Sequence, residues 1–200
     1  MLKIGITGGI GSGKTTITEI FKALGIAAFN SDERAKELYS TNAAVKESVI
    51  KLLGEQSYFD TLFPNFKYIG EQIFADKNLL KQVNALIHPL VAEQFQAWCE
   101  LHQHAPYILK ESALLYETGI SQSLDAVIVV EAPEQLRIER VIKRSFQNRE
   151  QVEARIKHQY GISDALQKAN FRILNDGKTA VIPQVIFIHE ELSKLSLSKK

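Results

Sequence analysis

The stretch GITGGIGSGKTT, residues 5–16, constrains the fold of this chain more than any other. It contains Gly8-x-x-x-x-Gly13-Lys14-Thr15, with the apolar run LKIGI (2–6) before it. After it, Ile17, Ile20, Phe21 and Leu24 recur at i, i+3, i+4 and i+7. The run reads as a buried strand, and the spacing predicts a helix that Gly25 stops. A glycine-rich turn between a strand and a helix is the context in which this pattern binds phosphate. Glycines let the backbone curl round an anion with its N–H groups turned inward, and the helix N-terminus adds a positive dipole end. Gly11, Ser12 and Gly13 are then the expected phosphate cradle. Lys14 bridges the β- and γ-phosphates, Thr15 ligates Mg²⁺ and Thr16 reaches the α-phosphate. The expected ligand is a purine nucleoside triphosphate.

The rest of the chain alternates between short apolar runs and helical patterns. IAAF (26–29) reads as a strand, and 33–53 as helical with an interruption near Ser40-Thr41-Asn42. Residues 54–70, carrying Gly54, Pro64 and Gly70, read as irregular. A mostly helical pattern covers 71–103 and is expected to break or turn at Pro89. YIL (107–109) and AVIVVE (126–131) read as central strands, 133–168 as charged and largely helical, and FRIL (171–174) as a last strand. Val181, Val185, Ile188, Leu192 and Leu195 mark a closing helix. Strands separated by helices predict an α/β fold with a central parallel sheet between helical layers.

Composition narrows the function classes. A formal net charge of +1 gives no global reason to expect nucleic acid or an anionic membrane as partner. The single cysteine, Cys99, excludes an internal disulfide framework and fits a reducing compartment. MLKIGITGG runs directly into the phosphate motif and does not read as a signal peptide. No stretch approaches the ~20 apolar residues of a membrane span. The expectation is a soluble cytoplasmic protein with no obligate protein partner. His102, His104, His158 and His189 have no metal-ligand company in the sequence and read as surface residues, while Cys99 beside Trp98 reads as packed in a helix face.

Phosphate loops of this kind serve switches, motors, transporters and kinases. The Asn-Lys-x-Asp and Asp-x-x-Gly patterns of GTP switches are absent, as is the Leu-Ser-Gly-Gly-Gln signature of transporter ATPases. What remains is a compact chain with a late basic region: Arg137, Arg140, Lys143 and Arg144, then Arg149, Arg155 and Lys157. Arg140 and Arg144 are i, i+4 neighbours. Phosphoryl transfer needs cations on the transferring phosphate, and a lid helix can bring them. The same arginines also suit a solvated helical face balanced by Glu134, Glu139 and Glu150.

In order along the chain, GITGGIGSGKTT, Ser31-Asp32, IFAD…LIHPLV (73–91), ALLYE (113–117), the Arg140/Arg144 pair and NDG (175–177) resemble the dephospho-coenzyme A kinase family over essentially the whole length. The resemblance implies a three-layer P-loop kinase fold as a single domain over 1–200. A helical substrate-side excursion would cover about 54–103 and a lid about 137–160. It implies transfer of the γ-phosphate of ATP, with Mg²⁺, to the ribose 3′-hydroxyl of dephospho-CoA. Another small-molecule or nucleotide kinase of the same fold, or a non-catalytic ATP-sensing module, stands as the alternative.

Site residues follow from motif and resemblance together. Asp32, just after the second strand, is the expected base that accepts the hydroxyl proton, with Ser31 or Asp32 as a plain helix cap the competing role. The family commonly has Asp-x-Asp where this chain has Asn30-Ser31-Asp32. Lys14, Arg140 and Arg144 join Asp32 as catalytic candidates. Glu111, ending YILKE, is either a carboxylate that holds Mg²⁺ through water beside Thr15 or a surface glutamate. Lys67 stands where the family tends to carry an arginine for substrate phosphate. His88 is either a substrate contact or a structural histidine, and Leu115 of the ALLYE piece is a substrate-side candidate. Asn175 and Gly177 would line the adenine pocket, although NDG is also an ordinary turn.

Overall fold

The computed structural model describes residues 1–60, 63–144, 148–159 and 161–198. The strands are β1 (Leu2–Thr7), β2 (Ala28–Asn30), β3 (Tyr107–Glu111), β4 (Ala126–Glu131) and β5 (Phe171–Leu174). All pair in parallel in one sheet of order β2-β3-β1-β4-β5. The helices are α1 (Lys14–Ala23), α2 (Ser31–Thr41), α3 (Ala43–Leu53), α4 (Phe66–Ala75), α5 (Lys77–Leu101), α6 (Glu134–Arg144), α7 (Arg149–His158), α8 (Ile162–Lys168) and α9 (Val181–Ser198). By compactness the chain divides into Met1–Asn30 with Leu101–Lys200, and Ser31–Glu100.

The first unit is built on the period-2 alternation of β4. Ala126, Ile128 and Val130 enter one core with Leu2, Ile4, Ile6, Leu109 and Ile173, packed with Ile17 and Phe21 of α1 and Val185, Ile188 and Leu192 of α9. Val127 and Val129 point to the other face and pack with Leu115 and with Ala165 of α8. Helical layers thus cover both faces of a parallel sheet, the arrangement in which its strands are apolar throughout. The unit is an α/β P-loop kinase fold. His189 is not a surface residue: its Nδ1 lies 2.7 Å from the hydroxyl of fully buried Tyr107. The region expected as a lid, about 137–160, holds α6 and α7. Its positions 145–147 and 160 lie outside the described residues. Helix α7 opens with a reciprocal capping box between Asn148 and Gln151.

The second unit opens at Ser31, earlier than the excursion expected from about 54. Side chains from the later segment explain the boundary. Tyr58 donates its hydroxyl to the Tyr39 carbonyl at 2.9 Å, Tyr68 donates to the Leu53 carbonyl at 2.9 Å, and the Tyr39 and Phe66 rings meet edge to face at 5.3 Å. Helices α2 and α3 are therefore bound to α4 and its approach. The interruption between α2 and α3 falls where expected, and Asn42 caps α3 by accepting from Val45 N. Helix α4 begins inside the stretch read as irregular, capped by Asn65 accepting from Tyr68 N.

Pro89 does not break its helix: α5 runs through it. Val83, Ile87, Val91, Phe95 and Cys99 form a buried stripe at four-residue spacing on both sides of the proline. An interior proline costs about 3 kcal/mol. Burying each Val, Ile or Phe returns about 1.5–3 kcal/mol, so the stripe outweighs the proline. Among the described residues no helix is long and apolar enough to cross a membrane.

Candidate active site

In a parallel sheet the loops that follow the strands share one edge, where ligands of such folds bind. Here that edge carries the phosphate loop after β1, Glu111 at the end of β3, α6 after β4 and the Asn175 turn after β5. The β-pairing aligns Glu111 with Ile6 of β1 and with Asn30 of β2.

The loop itself requires its glycines. Gly13, at φ +93°, is in left-handed backbone, and a Cβ there would strike the Asn175 side chain. Lys14 opens α1 and donates its Nζ to the Gly8 carbonyl at 2.7 Å, so its ammonium is held along the loop. Thr15 donates its hydroxyl to Glu111 Oε1 at 2.9 Å. Glu111 is 3% exposed, which excludes the surface-glutamate alternative. The residues singled out for metal binding are thus directly bonded to each other. A hydroxyl beside a carboxylate is a hard-oxygen donor set that suits Mg²⁺ rather than a soft metal. Among the described residues no group of three or more His, Cys, Asp or Glu could hold a metal ion, so other ligands would come from phosphate and water. Within the loop Ser12 Oγ is buried and has no hydrogen-bond partner among the described residues.

The loop is also held from outside. Asn175 donates Nδ2 to the Ser12 carbonyl at 2.8 Å. Arg140 donates to the Asn175 carbonyl at 3.1 Å and to Asn175 Oδ1 at 3.3 Å. Arg140, on α6 within the region expected as a lid, is therefore fastened to the turn after β5. Ile10 N donates to Gln159 Oε1 at 2.8 Å, and the Ile10 side chain packs on Ile138, Val141 and Val152 of the α6–α7 pair. Two further residues thus touch the loop: Gln159, which the sequence does not single out, and Arg137, named there only within the basic cluster, whose side chain lies against Gly9 and whose carbonyl lies against Gly11. Helical spacing gave a signal for Arg137, which is three positions before Arg140 and hence on the same face.

The remaining candidates differ in exposure. Thr16 and Arg144 are exposed, as is Gly177, which takes φ +80°. In the same turn Asp176 accepts from the N–H groups of Lys178 and Thr179. Leu115 is corrected: at 0% exposure in the core under β4 it packs the sheet and offers no surface to a substrate. In the helical unit Asp32 is exposed in the first turn of α2, and Lys67 is exposed in the first turn of α4. Ser31 begins α2 with its Oγ buried and without a hydrogen-bond partner among the described residues, so it is not a cap. His88 is half-buried on α5, and burial lowers its pKa below the ordinary value.

Comparison with known proteins identifies the family. The family model described as dephospho-CoA kinase, CoaE, matches residues 2–180. A dephospho-CoA kinase of Bacteroides fragilis is 34% identical over 202 residues, covering 99% of this chain and 98% of the relative. The crystal structure of TT1252 from Thermus thermophilus superposes with a TM-score of 0.82 at 28% identity, covering 97% of each chain. A dephospho-CoA kinase from Campylobacter jejuni gives a TM-score of 0.70 at 25% identity, covering 96% of this chain and 97% of that one. With a family model over nearly all its length and a phosphate loop closed by Lys14, Thr15 and Glu111, the chain belongs to the dephospho-CoA kinase family.

Proposed function

We propose that the protein transfers the γ-phosphate of ATP to the ribose 3′-hydroxyl of dephospho-CoA, giving coenzyme A. Within the family's reaction, the observation that carries this reading is the Thr15–Glu111 bond beside Lys14. Loop N–H groups and the Lys14 ammonium stabilise the charge that spreads over the phosphate oxygens in the transition state. Mg²⁺ is the metal that the Thr15 hydroxyl and Glu111 carboxylate suit, and when bound it neutralises charge on the β- and γ-phosphates. Asn175 bears on the nucleotide through Gly13 and Ser12, with Arg140 fixing the asparagine. Asp32 accepts the proton of the attacking hydroxyl, because a sugar hydroxyl is a weak nucleophile near neutral pH. Lys67 and His88 contact the acceptor, and Arg144 adds charge at the nucleotide. The protein works in the cytoplasm on a small molecule, without nucleic acid, membrane or an obligate protein partner.

The test is incubation with ATP, Mg²⁺ and dephospho-CoA, with mass spectrometry and phosphorus NMR of the product. A singly phosphorylated acceptor with the new group on the 3′ position is expected. Phosphorylation of nucleoside monophosphates or small sugars in preference to dephospho-CoA would overturn the reading.

A further inference from the structure

We propose that Arg137 is a positioning residue for the nucleotide: its guanidinium braces the phosphate loop at Gly9 and gains a stronger counter-charge than exposed Glu134 supplies when the polyphosphate binds. The inference rests on the ATP reading above and assigns a role to a side chain that stood in the sequence only as one of several helix cations.

The contacts are specific. Arg137 is 5% exposed, a rare condition for an arginine. A Cβ built on Gly9 would collide with Arg137 Nη1, and one on Gly11 would collide with the Arg137 carbonyl. One residue thus touches both arms of the loop, by side chain and by main chain. Ile138 and Val141, buried beside it with Ile10 packed against them, keep α6 in that position.

Its charge is poorly met. Nε is buried without a hydrogen-bond partner among the described residues. Its ion pair with Glu134 spans 3.6 Å, and the Glu134 side chain is 65% exposed, so water screens that carboxylate. Consistently, burial lowers the pKa of the guanidinium, with Glu134 acting in the opposite direction. A buried cation without close compensation raises the energy of the empty protein. A polyphosphate held by the loop N–H groups would face this cation across the Gly9 backbone and offset its unmet charge, so the cost of burying the cation in the empty protein would return as nucleotide affinity. Arg137 acts through Gly9, and its effect must therefore scale with the phosphate charge of the ligand.

The experiment measures Kd for ATP, ADP, AMP and adenosine by calorimetry on the full chain. Arg137→Gln is expected to weaken ATP binding about tenfold, ADP less, and adenosine by under about twofold. Arg137→Lys keeps the charge and is expected to restore most of the ATP affinity. Glu134→Gln removes the competing carboxylate at an exposed position and is expected to tighten ATP binding by about twofold. Equal weakening of all four ligands in Arg137→Gln, or none, would reduce Arg137 to packing and overturn the inference. If that variant does not fold, Glu134→Gln decides alone, and unchanged or weaker ATP binding refutes it. Failure of the unmutated protein to bind ATP would sink the nucleotide reading itself, a result distinct from either.

Discussion

At the carboxyl edge of the sheet, Lys14, Thr15, Glu111, Arg140 and Asn175 are tied to one another or to the loop backbone. In the Ser31–Glu100 unit, Asp32 and Lys67 stand exposed on the first turns of their helices, and His88 is half-buried in the middle of a long one. The contrast separates two kinds of chemistry. Triphosphate charge is stabilised by donors fixed before the ligand arrives, since reorienting them during reaction would cost free energy. On the reading proposed above, in which Asp32 takes the hydroxyl proton and Lys67 and His88 contact the acceptor, that side of the reaction relies on exposed or half-buried helix side chains rather than on donors fixed to one another.

The sharpest way to break that contrast is Asp32→Asn. The amide nearly preserves shape but cannot accept a proton, so kcat is expected to fall by about 10²–10⁴ with Kd for ATP and acceptor held. Retained turnover would leave the exposed carboxylate no chemical role. Lys14→Ala attacks the prearranged side. Loss of about 10²–10³ in kcat is expected, with the thermal midpoint within a few degrees, because Lys14 packs no core. Near-normal turnover would refute the phosphate role of the loop. Glu111→Gln is subtler: the Mg²⁺ concentration for half-maximal rate should rise about 10–100-fold, while Thr15 keeps a hydrogen-bond acceptor. An unchanged Mg²⁺ requirement would return Glu111 to a structural part.

The smallest effect concerns pH. Burial lowers the His88 pKa below its unfolded value, so the unfolded chain binds a proton more readily than the folded one. Stability is therefore held above the unfolded value near 6.5 and lost as pH falls from there through the folded pKa. His88→Gln should flatten that acid-side slope in denaturant titrations. If the slope persists unaltered, other groups account for it.

Much of this was legible in the residues. The Val and Ile runs of β1 and β4 and the glycine spacing after β1 identify a parallel sheet with a phosphate loop, because short local patterns carry that information. Thr15 and Glu111 could be named together since each ends or follows a recognisable strand. At Pro89 the helix does not break, because the buried stripe from Val83 to Cys99, which no local rule for proline includes, holds both sides of it. Leu115 differs: its neighbourhood suggested a substrate contact, yet its burial depends on Val127, Val129 and Ala165. For Arg137 the sequence offers a place in a basic cluster but no contact of its own, because a helix cation suits phosphate and solvent alike. Only the fold brings Gly9 against it.

The burial of the α5 stripe also governs thiol access. Its last member, Cys99, is the only thiol in the chain and is 4% exposed. Coenzyme A and its precursor each end in a thiol, and their oxidised forms exchange with accessible protein thiolates through mixed disulfides. Such exchange needs an approachable sulfur. With Cys99 turned into the helix stripe, the one protein thiol is not presented to theirs.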